Sequence, residues 1–193
     1  AAYSADFNWV GSDLDDFLEP PNWDQNKVPG SVDGKDDNFF LVTHADPQLV
    51  NLDGDVDLST GRGLIEDTDL ASLTTLEHLS GTLDIGTLEI GRDGFGEYRL
   101  GPDASLNVGH LALGVNAGST GLLSNDGGQI NVTGNATLTL RDSIVRGFGV
   151  TYSRAAAVSG ADGDASLTIA TSNVAVTGSQ SGDGTLTATG NID

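Results

Sequence analysis

Between residues 88 and 140 the chain repeats itself. Leu88-Glu89-Ile90-Gly91 leads through a Gly-rich turn to Tyr98-Arg99-Leu100 and then to Ser105-Leu106-Asn107-Val108. Leu111-Ala112-Leu113-Gly114 opens the same series, which continues through Gly121-Leu122-Leu123 to Gln129-Ile130-Asn131-Val132. Leu88 and Leu111 stand 23 residues apart, as do Gly91 and Gly114, and Val108 and Val132 stand 24 apart. A period near two dozen residues, filled with short alternating segments and Gly, Asn and Asp turns, predicts stacked coils of β-strand. One coil cannot bury its apolar row alone, whereas neighbouring coils bury it together. The fold class expected is all-β: a parallel β-helix, or β-solenoid, with an aromatic-rich N-terminal cap and at most one short helix. Leu88, Ile90, Leu106, Val108, Leu111, Leu113, Ile130, Val132, Leu138 and Leu140 are expected to point inward.

Composition agrees with a thin core. The chain has 27 Gly and only 5 Pro in 193 residues, and aromatic content is 6%. Eight basic residues against 28 acidic ones leave a net charge of -20, a field that repels nucleic acid and anionic membrane and suits cations or a salty medium. Cys is absent, so disulfides, thiolate metal sites and Cys nucleophiles are excluded. No apolar run approaches a membrane span, so no membrane insertion is expected. Ala1-Ala2-Tyr3 reads as a start left by signal cleavage, and export is the expectation.

Residues 1–47 differ from the rest. They hold both tryptophans, Trp9 and Trp23, together with Phe7, Phe17, Phe39, Phe40 and four of the five prolines. Phe39-Phe40-Leu41-Val42 reads as a buried strand, and the Pro20-Pro21 and Pro29-Gly30 stretches read as irregular loop. The open end of a solenoid exposes strand edges and apolar side chains, and an aromatic block suits that end as a cap. Residues 48–193 then form the solenoid as part of one compact domain, with an irregular excursion at 141–165. Trp9 and Trp23 double as candidate interaction residues.

The opening Phe7-Asn8-Trp9-Val10-Gly11, followed by Asn22-Trp23, Val28-Pro29-Gly30 and Asp36-Asp37-Asn38, resembles the start of secreted bacterial β-solenoid surface proteins of the autotransporter-passenger and PEP-CTERM type. Leu106-Asn107-Val108-Gly109 and Thr137-Leu138-Thr139-Leu140 are similar to that family's Thr-Leu-Thr-Val-Gly units. The resemblance implies a cell-surface or matrix role with no shared catalytic residue. The sequence departs from it at Asn191-Ile192-Asp193, where no Pro-Glu-Pro signal stands.

Three further stretches carry expectations. In residues 50–58, Val50, Leu52, Val56 and Leu58 alternate with acidic positions, so Asp53, Asp55 and Asp57 share the outward side of a strand and are candidate Ca²⁺ ligands. A solvated strand face is the plainer reading. In residues 67–79, Leu70, Leu73, Leu76 and Leu79 recur every three residues behind Thr68 or Asp69 as N-cap, which predicts one short helix, with a rung opening at Thr74 as the alternative. In residues 141–165 the period breaks, and Arg146, Phe148, Tyr152 and Arg154 are candidate interaction residues on either an interaction loop or one irregular rung.

Catalytic patterns are sparse. Asp15-Asp16 and Asp36-Asp37 are adjacent pairs whose side chains point apart, unlike the two facing carboxylates of glycoside hydrolysis. His44, His78 and His110 stand alone, without metal-ligand spacing. The expected function is a non-enzymatic, extracellular structural protein of a cell surface, matrix or fibre. Its expected partners are copies of itself stacked head-to-tail and surface polysaccharide, with Ca²⁺ as a candidate cofactor. A carbohydrate-active β-helix enzyme (lyase or glycoside hydrolase) and a carbohydrate- or cation-binding module are the alternatives.

Overall fold

The computed structural model describes residues 4–131 with their side chains, apart from positions 32–33, 45, 70–71, 117–118 and 126–127; from 132 onward it describes strand backbones alone. Alternation of apolar and polar residues produces the strands, and β-branched residues and glycine-marked corners set their limits. In chain order these are β1 (Asp6–Asn8), β2 (Asn38–Thr43), β3 (Gln48–Asp53), β4 (Val56–Asp67), β5 (Thr74–Ile90), β6 (Phe95–Leu113), β7 (Thr120–Asn125) and β8 (Gln129–Val132). They continue with β9 (Ala136–Thr139), β10 (Ile144–Tyr152), β11 (Ala156–Ser159), β12 (Ala161–Asp162), β13 (Ala165–Val176), β14 (Gln180–Ser181) and β15 (Thr185–Ile192). Among the described residues the one helical element is a 3₁₀ turn at Pro20–Asn22.

Pairing is parallel almost throughout, and it sorts the strands into three ladders. The first runs Phe39↔Gly63, Gly63↔Leu88 and Leu88↔Leu111. The second runs Val50↔Leu76, Leu76↔Tyr98 and Tyr98↔Leu123. The third runs Leu58↔Ile85, Ile85↔Val108 and Val108↔Val132. Each coil therefore contributes one segment to each ladder, and about four turns of β-solenoid result. Leu88↔Leu111 and Val108↔Val132 are the same pairs that the sequence period joins.

The interior rows fall where alternation puts them. Leu88, Ile90, Leu106, Val108, Leu111, Leu113 and Ile130 are all buried, and so are Val50, Leu52, Val56 and Leu58. The side chains of Val132 and Leu138, and Leu140 as a whole, lie outside the described residues. Gly91 and Gly114 turn at equivalent places of successive coils with φ of +63° and +59°, which only glycine adopts cheaply.

The helix expected over residues 67–79 is not formed, and the alternative, a rung opening at Thr74, is what the chain adopts. β5 begins at Thr74, whose backbone lies between Gln48 of β3 and Gly96 of β6. A helix here would strip both neighbours of their ladder bonds, a loss far larger than three-residue leucine spacing can offset. Asp67 ends β4, fully buried, with Oδ2 accepting from Thr43 Oγ1 at 2.8 Å and Oδ1 accepting from the Asp69 amide at 2.7 Å.

The N-terminal residues close the first coil of their own chain. β1 pairs in parallel with β2, Phe7 opposite Phe39. Leu14 N donates to Leu49 O and Phe17 N to Asn51 O, both at 2.7 Å, so residues 13–17 satisfy the edge of β3. The outer edge of β1 is closed in turn: Asn8 N donates to Asp24 Oδ1 and Asp24 N to Asn8 O, both at 3.0 Å. Beside the third ladder, Thr60 N donates to Lys35 O at 2.9 Å. Beneath these bonds Phe7, Trp9, Phe17, Trp23 and Phe39 meet edge to face, with ring centroids 4.8 to 6.5 Å apart.

Candidate functional site

The second and third ladders meet at a corner that widens from coil to coil. In the first coil Leu52 and Asp53, opposite His78 and Ser80, follow one another directly. In β5 a bulge between His78 and Ser80 inserts Leu79, which opposes no partner and is 43% exposed. In β6 the same place holds two residues, Gly101 and Pro102, between Leu100 (opposite His78) and Asp103 (opposite Ser80). The growing corner leaves a half-open groove of about 380 Å³, lined by Glu77, Leu79, Arg99, Gly101, Pro102 and Ser124 with Leu100 and Asn125 at its floor.

The groove's charges are largely engaged. Arg99 Nη2 pairs with Glu97 Oε2 at 2.9 Å, and this bond raises the guanidinium's pKa further. Glu97, buried, also accepts from Thr75 Oγ1 at 3.3 Å and Ser124 Oγ at 3.2 Å. Behind this wall lies a polar pair that sequence reasoning passed over. His78 and Tyr98 are fully buried and their Nδ1 and Oη lie 2.7 Å apart. Burial pushes His78 down to about 4, against weaker opposition from the Ser80 backbone and from Asp55 and Asp53, and it raises the Tyr98 phenol well above its usual range. The signal was available: His78 has the inward parity of Leu76, two residues before it.

The acidic trio separates. Asp53 and Asp57 lie on different strands, and Asp55 lies at the corner between them. Asp53 Oδ1 accepts from Ser80 Oγ, Asp55 Oδ1 from the Thr82 amide at 2.8 Å, and Asp57 Oδ2 pairs with Lys35 Nζ at 2.6 Å. The expected single strand over residues 50–58 is thus broken by the Gly54 corner, which sends the three carboxylates to three partners. Among the described residues no group of three or more acidic or His side chains is placed to hold a metal ion.

Trp9 and Trp23 are consumed by the cap. Trp9 is 8% exposed with Nε1 donating to Gln48 Oε1 at 3.0 Å, and Trp23 is 1% exposed with Nε1 donating to Phe17 O at 2.8 Å. As a surface for a partner they are closed, because the rings supply the apolar cover of the first coil. Arg146, Phe148 and Tyr152 lie on β10, whose backbone pairs with β7, β8 and β13 around a register shift between Gly147 and Val150. Their side chains, and Arg154 altogether, fall outside the described residues.

On the outside of the first ladder, Arg62 and Arg92 both reach Glu89, and Arg92 Nε pairs with Asp93 Oδ2 at 3.1 Å. No helix among the described residues is long and apolar enough to cross a membrane. Comparison with known proteins returned no matching family model, no matching curated protein and no matching solved structure.

Proposed function

We propose that this chain is a non-enzymatic, exported structural protein that builds or decorates a cell surface, matrix or fibre, as its resemblance to secreted bacterial solenoids implies. One observation supports the reading above others: the outward polar side chains of one coil are spent on the next coil. Asn107 Nδ2 donates to Asp84 Oδ1 at 2.6 Å, the Thr82 amide donates to Asp55, Ser80 Oγ to Asp53, Asn116 Nδ2 to Asp93 and Ser124 Oγ to Glu97. Carboxylates tied between rungs stiffen a rod and are poorly placed to move protons on a substrate.

Association with further copies belongs to this reading. The chain's own cap occupies the N-terminal strand edges, so copies meet through another surface or after the cap is displaced. Net charge of -20 opposes approach, and salt or divalent cations screen it. The test is negative-stain microscopy with sedimentation, at low salt, at high salt and in Ca²⁺, alongside incubation with uronate and neutral polysaccharides. Ordered filaments or lattices that grow with ionic strength are expected. A monomer under every condition sinks the assembly, and appearance of new reducing ends or unsaturated uronate products sinks the non-enzymatic assignment.

A carbohydrate-binding module is the second reading, favoured by the groove of Glu77, Leu79, Arg99 and Pro102. Retention on one immobilised polysaccharide, lost on Arg99→Ala, would carry it.

A further inference from the structure

His78 sits in the interior row of the second ladder, in register with Leu52 of the first coil and Leu100 of the third. It is the described histidine that the solenoid buries completely. Its Nδ1 is matched by Tyr98 Oη, while Nε2 has no hydrogen-bond partner. A neutral ring tolerates this, because one nitrogen then carries no proton and its loss is a single weak acceptor. An imidazolium does not. It must bury a charge between two leucines, with its second N–H meeting no partner at hydrogen-bond geometry and the Ser80 backbone giving relief weaker than the cost of burial.

We infer that His78 is an acid-sensitive latch, whose protonation parts the second coil from the third at the corner between the second and third ladders.

The surroundings offer the charge less relief than burial costs it, and the largest share comes from the Ser80 backbone on its own strand. From β3 and the corner after it, Asp53 and Asp55 attract the proton, but their carboxylates are already bound to Ser80 Oγ and the Thr82 amide. From β6, Tyr98 faces the ring uncharged, and burial makes its ionisation harder still. Glu77 and Arg99, next in sequence to His78 and Tyr98, have the opposite parity and line the groove outside. The Leu79 bulge and the Gly101-Pro102 corner break the ladder beside His78, so few backbone bonds must yield for the coils to part there.

The direction with pH follows from where the proton binds. The open form takes it at the ordinary value near 6.5, the closed form only at about 4. The closed form is therefore favoured in full above pH 6.5 and loses ground as pH falls from 6.5 to 4. The closed-to-open ratio should drop roughly 30-fold by pH 5 and on the order of 100-fold by pH 4, relative to neutral pH.

Two measurements on the full chain decide it. Amide hydrogen exchange, read as protection factors at pH 7 and pH 5, should show residues 74–80 and 95–103 losing about 30-fold protection. The first-coil amides at 38–43 should keep theirs. In His78→Leu, which continues the Leu52 and Leu100 row, the loss at residues 74–80 and 95–103 should vanish. Equal pH dependence in both proteins, or a loss spread evenly over the chain, overturns the latch. Should the variant fail to fold, the NMR titration of the wild-type ring decides alone. A His78 ring that stays neutral to below pH 5 is expected, and one that titrates near 6.5 in the folded spectrum overturns the proposal.

Discussion

Trp23 Nε1 donates to the backbone oxygen of Phe17 at 2.8 Å, six residues back in the chain, and by that bond locks the cap onto the first coil. The indole meets Phe7, Trp9, Phe17 and Phe39 edge to face. Trp23→Ala removes the largest fully buried side chain among the described residues and leaves Phe17 O without its donor. A loss of roughly 3–5 kcal/mol is expected by chemical denaturation, from the lost burial of the ring and the cavity left among its aromatic neighbours. Trp9→Phe, which keeps most of the ring and forfeits the Gln48 bond, should cost about 1 kcal/mol.

Gly91 lies against the next coil. A Cβ built there would stand 2.0 Å from Thr120 O, and φ is +63°. Gly91→Ala should destabilise by about 2 kcal/mol or more, since strain in the left-handed region and a backbone clash add. Thermal melting of the variant checks this, and a melting point within a degree of wild type would remove the close coil-to-coil approach at this corner.

Asn107 and Asp84 form one step of an outward ladder whose register joins Asp57, Asp84, Asn107 and Asn131. Asn107→Asp replaces the 2.6 Å hydrogen bond with facing carboxylates. A cost of about 1–2 kcal/mol at neutral pH is expected from the lost bond and the like charges together. Repulsion raises the pair's folded pKa, so the penalty should shrink as pH falls through 4. Urea titrations at pH 7 and pH 4 separate this from simple loss of packing, which would be independent of pH.

Lys35 Nζ holds Asp57 Oδ2 at 2.6 Å, and this bond is the first cause of Asp57's lowered pKa. The folded state thus binds the Asp57 proton less readily than the unfolded chain. Its contribution is present above the ordinary value near 3.8 and lost as pH falls below it. Lys35→Ala should return the Asp57 pKa toward that value in a carboxyl-detected NMR titration. The melting point should move little, because both groups are solvent-exposed and screened.

Much of the fold was written in the chain. The recurrence of Leu88 as Leu111 and of Val108 as Val132 is the register itself, because parallel strands in stacked coils pair residues one period apart. Strand parity placed Val50, Leu52, Val56 and Leu58 inside on either side of Gly54, since the corner preserves the alternation. The aromatic content of residues 1–47 announced a cap because a solenoid end needs apolar cover and edge partners. None of this depends on knowing where coils lie in space.

What only the tertiary structure decided lies at the corners. Local spacing allowed Leu70, Leu73, Leu76 and Leu79 to be a helix, and the ladder bonds offered by β3 and β6 overrode it. Asp53, Asp55 and Asp57 share parity, yet the bend at Gly54 sends them to Ser80, Thr82 and Lys35. The groove arises because the corner gains Leu79 in one coil and Gly101 with Pro102 in the next, a difference visible only once the coils are stacked. His78 shows both sides of the division. Its inward parity is plain in the sequence, but its burial between Leu52 and Leu100 against the Tyr98 hydroxyl follows from residues two dozen positions away, brought together by register.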